Sequence, residues 1–265
     1  MSNKLTDPAL MESRSYGVRR IPALRPLGWL ARGWSDLMAC PVPGLLHGVA
    51  AALFGLLLYL AARDRFWLLA GAFSGFLLVA PVVATGLYAV SRARERGEDP
   101  GLATALRAWK PDDHRLVVFG ALLALAGTGW VMTSAALIWT QTGGAVHTPT
   151  DFLRLVVLAP QGGLFEAWLG LGALLAAPVF ASSVVTLPLL LDRQVSVLAA
   201  VFVSWRVVME HPVPMALWAA LLMGLSVAGM AAVLVGLVII VPWLAHASWH
   251  AYRDVVDTSG MAERA

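Results

Sequence analysis

Charge is what this sequence has least of: 13% of its 265 residues are Asp, Glu, Lys or Arg, where a soluble domain carries roughly a quarter. Five long stretches have none at all, 41–62, 66–91, 116–150, 167–191 and 211–252. Cysteine is almost absent too, and the single Cys40 excludes an internal disulfide and a cysteine metal cluster. Met1 to Arg25 is polar and basic with no apolar core, so no cleavable signal is expected there. No phosphate-binding glycine loop, nucleophile elbow, HExxH or dinucleotide fingerprint occurs. No basic cluster is interleaved with aromatics, which excludes nucleic acid as a partner. No Asp, Glu, Lys or Arg interrupts the apolar stretches, which argues against coupling to protons or cations through a charged site in the membrane.

What is present is hydrophobicity. Hydrophobic residues make up 59% of the chain and the mean hydropathy is +0.74, so the partner expected first is the lipid bilayer. A span needs about 20 apolar residues, and the last stretch is long enough for two. The expectation is an all-α membrane protein with six transmembrane helices. Arg14, Arg19, Arg20, Arg25 and Arg32 precede the first stretch, and Arg92, Arg94, Arg96, Arg107, Lys110 and Arg115 lie between the second and third. The alternate loops hold only Arg63, Arg65 and Arg154, offset by Asp64, Asp151 and Glu166. Positive charge marks the cytoplasmic side, which predicts both termini there and a multi-pass protein of the bacterial inner (cytoplasmic) membrane.

The chain also repeats itself. GFLLVAPVVA at 75–84, GALLAAPVFA at 172–181 and GLVIIVPWLA at 236–245 share Gly-x5-Pro-x2-Ala. LGWLARGW, LATALRAW and LAAVFVSW end at Trp34, Trp109 and Trp205, each with a Leu seven residues earlier. Such periodicity indicates tandem units, here three two-helix repeats (24–96, 97–193 and 194–257), each opened by a short cytoplasmic-side interfacial helix. Residues 1–23 and 258–265 are polar and aperiodic and read as disordered cytoplasmic ends. In the second unit the outer loop contains FLRLVVLA, which predicts a short helix; in the third it shrinks to a tight turn near Ser226 to Gly229.

Individual residues divide by role. WSDLMACPVP and WRVVMEHPVP place Pro41, Pro43, Pro212 and Pro214 at the mouths of two helices, where proline is tolerated and turns the preceding residue away from helix. Trp34, Trp109 and Trp205 are expected as interfacial anchors. Pro81, Pro178 and Pro242 kink their helices and either line a shared central crevice or only shape packing, with Gly75, Gly172 and Gly236 admitting close neighbours. His246 and His250 stand four apart, the spacing of a chelate on one helix face. His47 joins them only if the fold brings it near, and the plainer reading is a polar pair at the membrane boundary. No catalytic residue and no cofactor is expected.

RPLGWLARGWSDLMACPVPGLLHG, GFLLVAPVVATGLYAVSRARERGEDP and SWRVVMEHPVP resemble a bacterial integral-membrane family catalogued as domain of unknown function 2189 and sometimes labelled a cytochrome c oxidase subunit, over about Arg19 to Asp257. The label implies a respiratory setting. Too few histidines lie on different spans for a haem–copper centre, so the expected function is that of a non-catalytic accessory or assembly protein, possible partners being respiratory complexes. The alternatives are a transporter or channel for a neutral or amphipathic solute, and haem or copper handling through His246, His250 and His47.

Overall fold

The computed structural model describes residues 6–108, 114–159 and 162–264. Helix α1 (Thr6–Arg14) and strand β1 (Gly17–Val18) lead into α2 (Arg25–Ala39) and α3 (Pro41–Ala62). Next come α4 (Phe66–Val83), α5 (Thr85–Glu95), α6 (Leu102–Arg107) and α7 (His114–Thr142). A short α8 (Pro149–Phe152) runs into a π-helical turn (Leu153–Val157), followed by α9 (Leu164–Ser183) and α10 (Thr186–Asp192). The chain closes with α11 (Val197–Glu210), α12 (Pro212–Ala231), α13 (Leu237–Val255) and strand β2 (Val256–Asp257).

Helices occupy all the charge-free stretches. Among the described residues four segments are long and apolar enough to cross a membrane: Pro41–Ala62, His114–Thr142, Leu164–Asp192 and Pro212–Ala231. Phe66–Phe76 is a shorter apolar helix. The protein is thus a largely helical integral membrane protein with four candidate spans.

The two Pro-x-Pro corners share one backbone solution. Cys40 has φ −138° and ψ 73°, and His211 has φ −128° and ψ 56°. Each donates its N–H to the carbonyl four residues back, Asp36 or Val207, at 3.0 and 3.1 Å. The proline that follows disfavours helical geometry at the corner residue. It then starts the next helix, where its missing N–H costs nothing. Pro41 and Pro43, like Pro212 and Pro214, fill the first turns of α3 and α12.

Packing separates two groups of helices. Along α3 the buried residues Gly44, Gly48, Ala51 and Gly55 form a stripe of small side chains that brings α13 into backbone contact. On α2 the buried face Trp29, Leu30, Gly33, Asp36 and Leu37 continues that seam, with a Cβ at Gly33 meeting the Ala247 amide at 2.5 Å. The other group is built around α7, which packs against α4 and α9. Trp130 fills the space left by both Gly75 and Gly172 and donates its indole N–H to Ser74 at 2.8 Å. Those two repeated glycines therefore serve packing. Two of the three internal prolines have different surroundings: Pro242 is buried against Gly44 in the first group, whereas Pro178 is exposed. Helix breaks follow Pro81 and Pro178 at Ala84 and at Val184–Val185, while α13 runs unbroken past Pro242.

Three other expectations are corrected. Residues 6–23 are not disordered. Gly17–Val18 pairs antiparallel with Val256–Asp257, Arg206 donates to the carbonyls of Ser13 and Tyr16, and Glu12 accepts from Ser196 Oγ at 2.6 Å at the start of α11. A carboxylate there also complements the helix dipole. Residues 258–264 are held as well, through Arg193 to the Met261 carbonyl and through the amides of Gln194 and Arg264. The last turn lies not at Ser226 to Gly229 but at 232–236, because Gly229 sits within α12 against Gly236. The short helix expected in FLRLVVLA is present, capped by a reciprocal Thr148–Asp151 pair.

Candidate functional site

The polar side chains that the sequence scatters over distant segments meet in one layer. It lies at the end of the bundle where α2, α5, α10 and α13 come together. Helical spacing places them there. On α13, His246, His250 and Asp254 follow at intervals of four and share a face; Trp249 and Arg253 share the adjacent one. On α5, Ser91 and Arg94 turn toward α2, while Arg92 and Arg96 turn toward α10.

Two buried carboxylates organise the layer. Asp36 accepts from Ser91 Oγ at 2.6 Å and lies 2.9 Å from His250 Nε2; Arg94 pairs with its other oxygen. Burial by itself would raise the Asp36 pKa. The hydrogen bonds from His250 and Ser91, the charge of His250 and the bond from Arg94 together outweigh it and hold the group at about 2. Asp192, at the end of α10, takes Arg92 at 3.0 Å, Arg96 at 3.3 Å, Arg193 at 3.1 Å and the Tyr252 hydroxyl at 2.7 Å. Arg253 stands 3.7 Å away. Asp254 forms a third node, accepting from Arg25, Arg32 and the indole of Trp29.

A depressed carboxyl pKa contributes stability above its unfolded value that is lost as pH falls through the folded one. For Asp36, lowered from 3.8 to about 2, the contribution is about 2 kcal/mol. It is complete above pH ~4 and gone by pH ~2. The difference in unfolding midpoint between wild type and Asp36→Asn is expected to shrink as pH falls through that interval. A difference independent of pH would contradict it.

The Asp36–Ser91–His246 chain has a definite proton order. A serine hydroxyl has one proton and a carboxylate only accepts, so Ser91 donates to Asp36 and receives from Nδ1–H of His246, 2.8 Å away. That leaves His246 Nε2 as a bare lone pair. The side chain is fully buried, Nε2 has no hydrogen-bond partner among the described residues, and a Cβ at Gly44 would stand 3.8 Å from it.

Among the sequence-predicted residues, His246 and His250 do share this cluster. They reach it through Ser91 and Asp36, while His47 uses Nδ1 on its own Pro43 carbonyl at 2.8 Å. Among the described residues no group of three or more His, Cys, Asp or Glu side chains is arranged to hold a metal ion. Trp34 is half-exposed and stacks edge-on against Trp243, and Trp205 donates to Ser182 at 2.9 Å. Trp109 lies outside the described residues. Asp36, Ser91, Asp192 and Asp254 are among the members that sequence reasoning missed. The available signal was a carboxylate at the end of the apolar run PLLLD and another between the tryptophan and the leucine of WSDL.

A cavity of about 420 Å³ lies elsewhere, on the side of the bundle between Trp67, Met132, Ala135 and Trp139. Its lining is apolar apart from the tryptophan rings and Thr140.

A comparison with known proteins covers less of the chain than the stretch from Arg19 to Asp257. Of the three quoted segments only GFLLVAPVVATGLYAVSRARERGEDP falls inside the matched region, which runs from α4 through α10. No curated protein and no solved structure matches the chain. Residues 68–192 match the family described as "Predicted integral membrane protein (DUF2189)", and over that stretch the resemblance read from the sequence holds.

Proposed function

We propose that this is a non-catalytic accessory or assembly protein of the bacterial inner membrane, one that binds other membrane proteins, respiratory (cytochrome oxidase) complexes among them. The observation that carries the reading is the unequal use of its surfaces. In the apolar windows of α3 and α7 only 17% and 22% of residues are buried, so these helices offer most of their flanks to lipid or to the helices of a partner. The polar groups, by contrast, pair with one another in ion pairs at one end. In this reading the six apolar helices insert as three tandem pairs, with the arginine-rich layer and both termini on the cytoplasmic side.

The test is purification in mild detergent with identification of co-purifying proteins and pigments. Defined membrane proteins at a fixed ratio are expected. Recovery as an isolated monomer, together with unchanged amounts of respiratory complexes after deletion, would refute the proposal. The same preparation separates the alternatives. Solute flux in vesicles would favour a transporter or channel for a neutral or amphipathic solute. A haem band or bound copper would favour metal handling, for which the bare Nε2 of His246 is the one supporting observation.

A further inference from the structure

We infer that the α12–α13 hairpin turns inside the bilayer, with Val233 to Gly236 in contact with the acyl chains of the leaflet opposite the polar layer. By length and composition α12 is able to cross a membrane, but its neighbours place its end short of the far side.

Three helices give the same depth. A Cβ at Gly55 of α3 would meet Leu234 at 3.2 Å. From Gly55 the helix continues for seven residues, to Ala62, before the charged turn Arg63–Asp64–Arg65, a rise of about 10 Å. On α4 the same recess is lined by Ala72, Phe73 and Phe76 beside Leu234 and Leu237. Phe73 lies seven residues inside the start of that helix at Phe66, or about 10 Å. At the opposite end, Trp218 of α12 is fully buried and meets Trp29 of α2 at 5.4 Å between ring centroids. Trp29 is itself bonded to Asp254 in the polar layer. Only thirteen residues of α12 follow Trp218, about 20 Å of helix against a hydrocarbon core of about 30 Å.

The turn is built for an environment without water. No Asp, Glu, Lys, Arg, Ser, Thr, Asn, Gln or His lies between Ser226 and His246. Val233 is 83% and Val235 69% exposed. Val233 and Leu234 adopt φ of 53° and 64°, a left-handed conformation that falls elsewhere to glycine or asparagine. Most backbone amides of the turn and its exit are nevertheless paired, those of Val233 and Gly236 not among them: Ala232, Leu234, Val235, Leu237 and Val238 donate to Ala228, Met230, Ala232, Leu234 and Val235, at 3.0 to 3.1 Å. Hydrocarbon demands such internal pairing, since it offers the backbone no partner. Aligning Pro41 with Pro212 sets the contrast: Arg63–Asp64–Arg65 of the first hairpin corresponds to Leu234–Val235–Gly236 of the last.

The test places one cysteine at a time, Val233→Cys, Val235→Cys or Asp64→Cys, in full-length protein carrying Cys40→Ser. Each is labelled with bimane in phosphatidylcholine vesicles loaded with iodide on both sides or made with lipids brominated on their acyl chains. Positions 233 and 235 are expected to be quenched severalfold more by the brominated chains than by iodide, and position 64 the reverse. Iodide quenching at 233 and 235 equal to that at 64 would overturn the inference. Because no partner protein is present, either outcome is independent of the co-purification result.

Discussion

Replacing Asp192 by alanine is expected to cost about 3–5 kcal/mol of stability, the range for breaking a buried ion pair from one side. Asp192 is 2% exposed and is the carboxylate toward which Arg92, Arg96 and Arg193 all point, with Arg253 close by. Without it the guanidiniums face one another, and the Tyr252 hydroxyl loses its acceptor. Glu95 retains Arg253 and Glu263 retains Arg96 and Arg193, but Glu263 is more than half exposed and screened by water. The measurement is the thermal or denaturant midpoint of the purified protein in mild detergent. Asp192→Asn separates the causes: it keeps the volume and one acceptor oxygen, so a loss driven by charge brings it down nearly as far as alanine. Near-wild-type stability of both variants would show that the arginines are not organised by this carboxylate.

The same residue shows where sequence reasoning stops. Corners at Cys40 and His211 were legible because proline acts on its immediate neighbour and needs no tertiary information. The helices were legible for the same reason, since an uncharged apolar run reports its own solvent. Asp192 was not, because its partners lie 100 residues back on α5 and 60 residues ahead on α13. Asp36 finds His250 across 214 positions. Spacing can place His246, His250 and Asp254 on one face but cannot say which helix that face meets. The ends of the chain failed for a related reason. Polarity at 6–23 suggested disorder, yet their order comes from pairing with 256–257 and from Arg206, contacts invisible to local composition. The polar layer therefore belongs to the fold as a whole, and so does any function that uses it.

Gly48→Ala is expected to be the most damaging single methyl addition in the membrane region, costing about 3 kcal/mol, at the upper end for overpacking. Its Cβ would overlap the carbonyl oxygen of Val238 on α13, and a backbone carbonyl cannot swing aside as a side chain can. The helices must separate along the whole stripe from Gly44 to Gly55, which loosens the contact between Gly44 and Pro242 and the wall beside His246 Nε2. Gly28→Ala supplies the control. Among the described residues nothing lies within 4 Å of a Cβ at Gly28 in α2, so the gain in helix propensity of up to about 1 kcal/mol stands unopposed and the midpoint rises. Opposite signs for two chemically identical substitutions would locate the energetics of the first helix group in the close approach of α3 to α13. A fall for both would mean that alanine disturbs these helices for a reason other than their contact. Should Gly48→Ala also weaken co-purification of a partner while Gly28→Ala does not, the α3 flank that depends on this seam is the surface the partner reads.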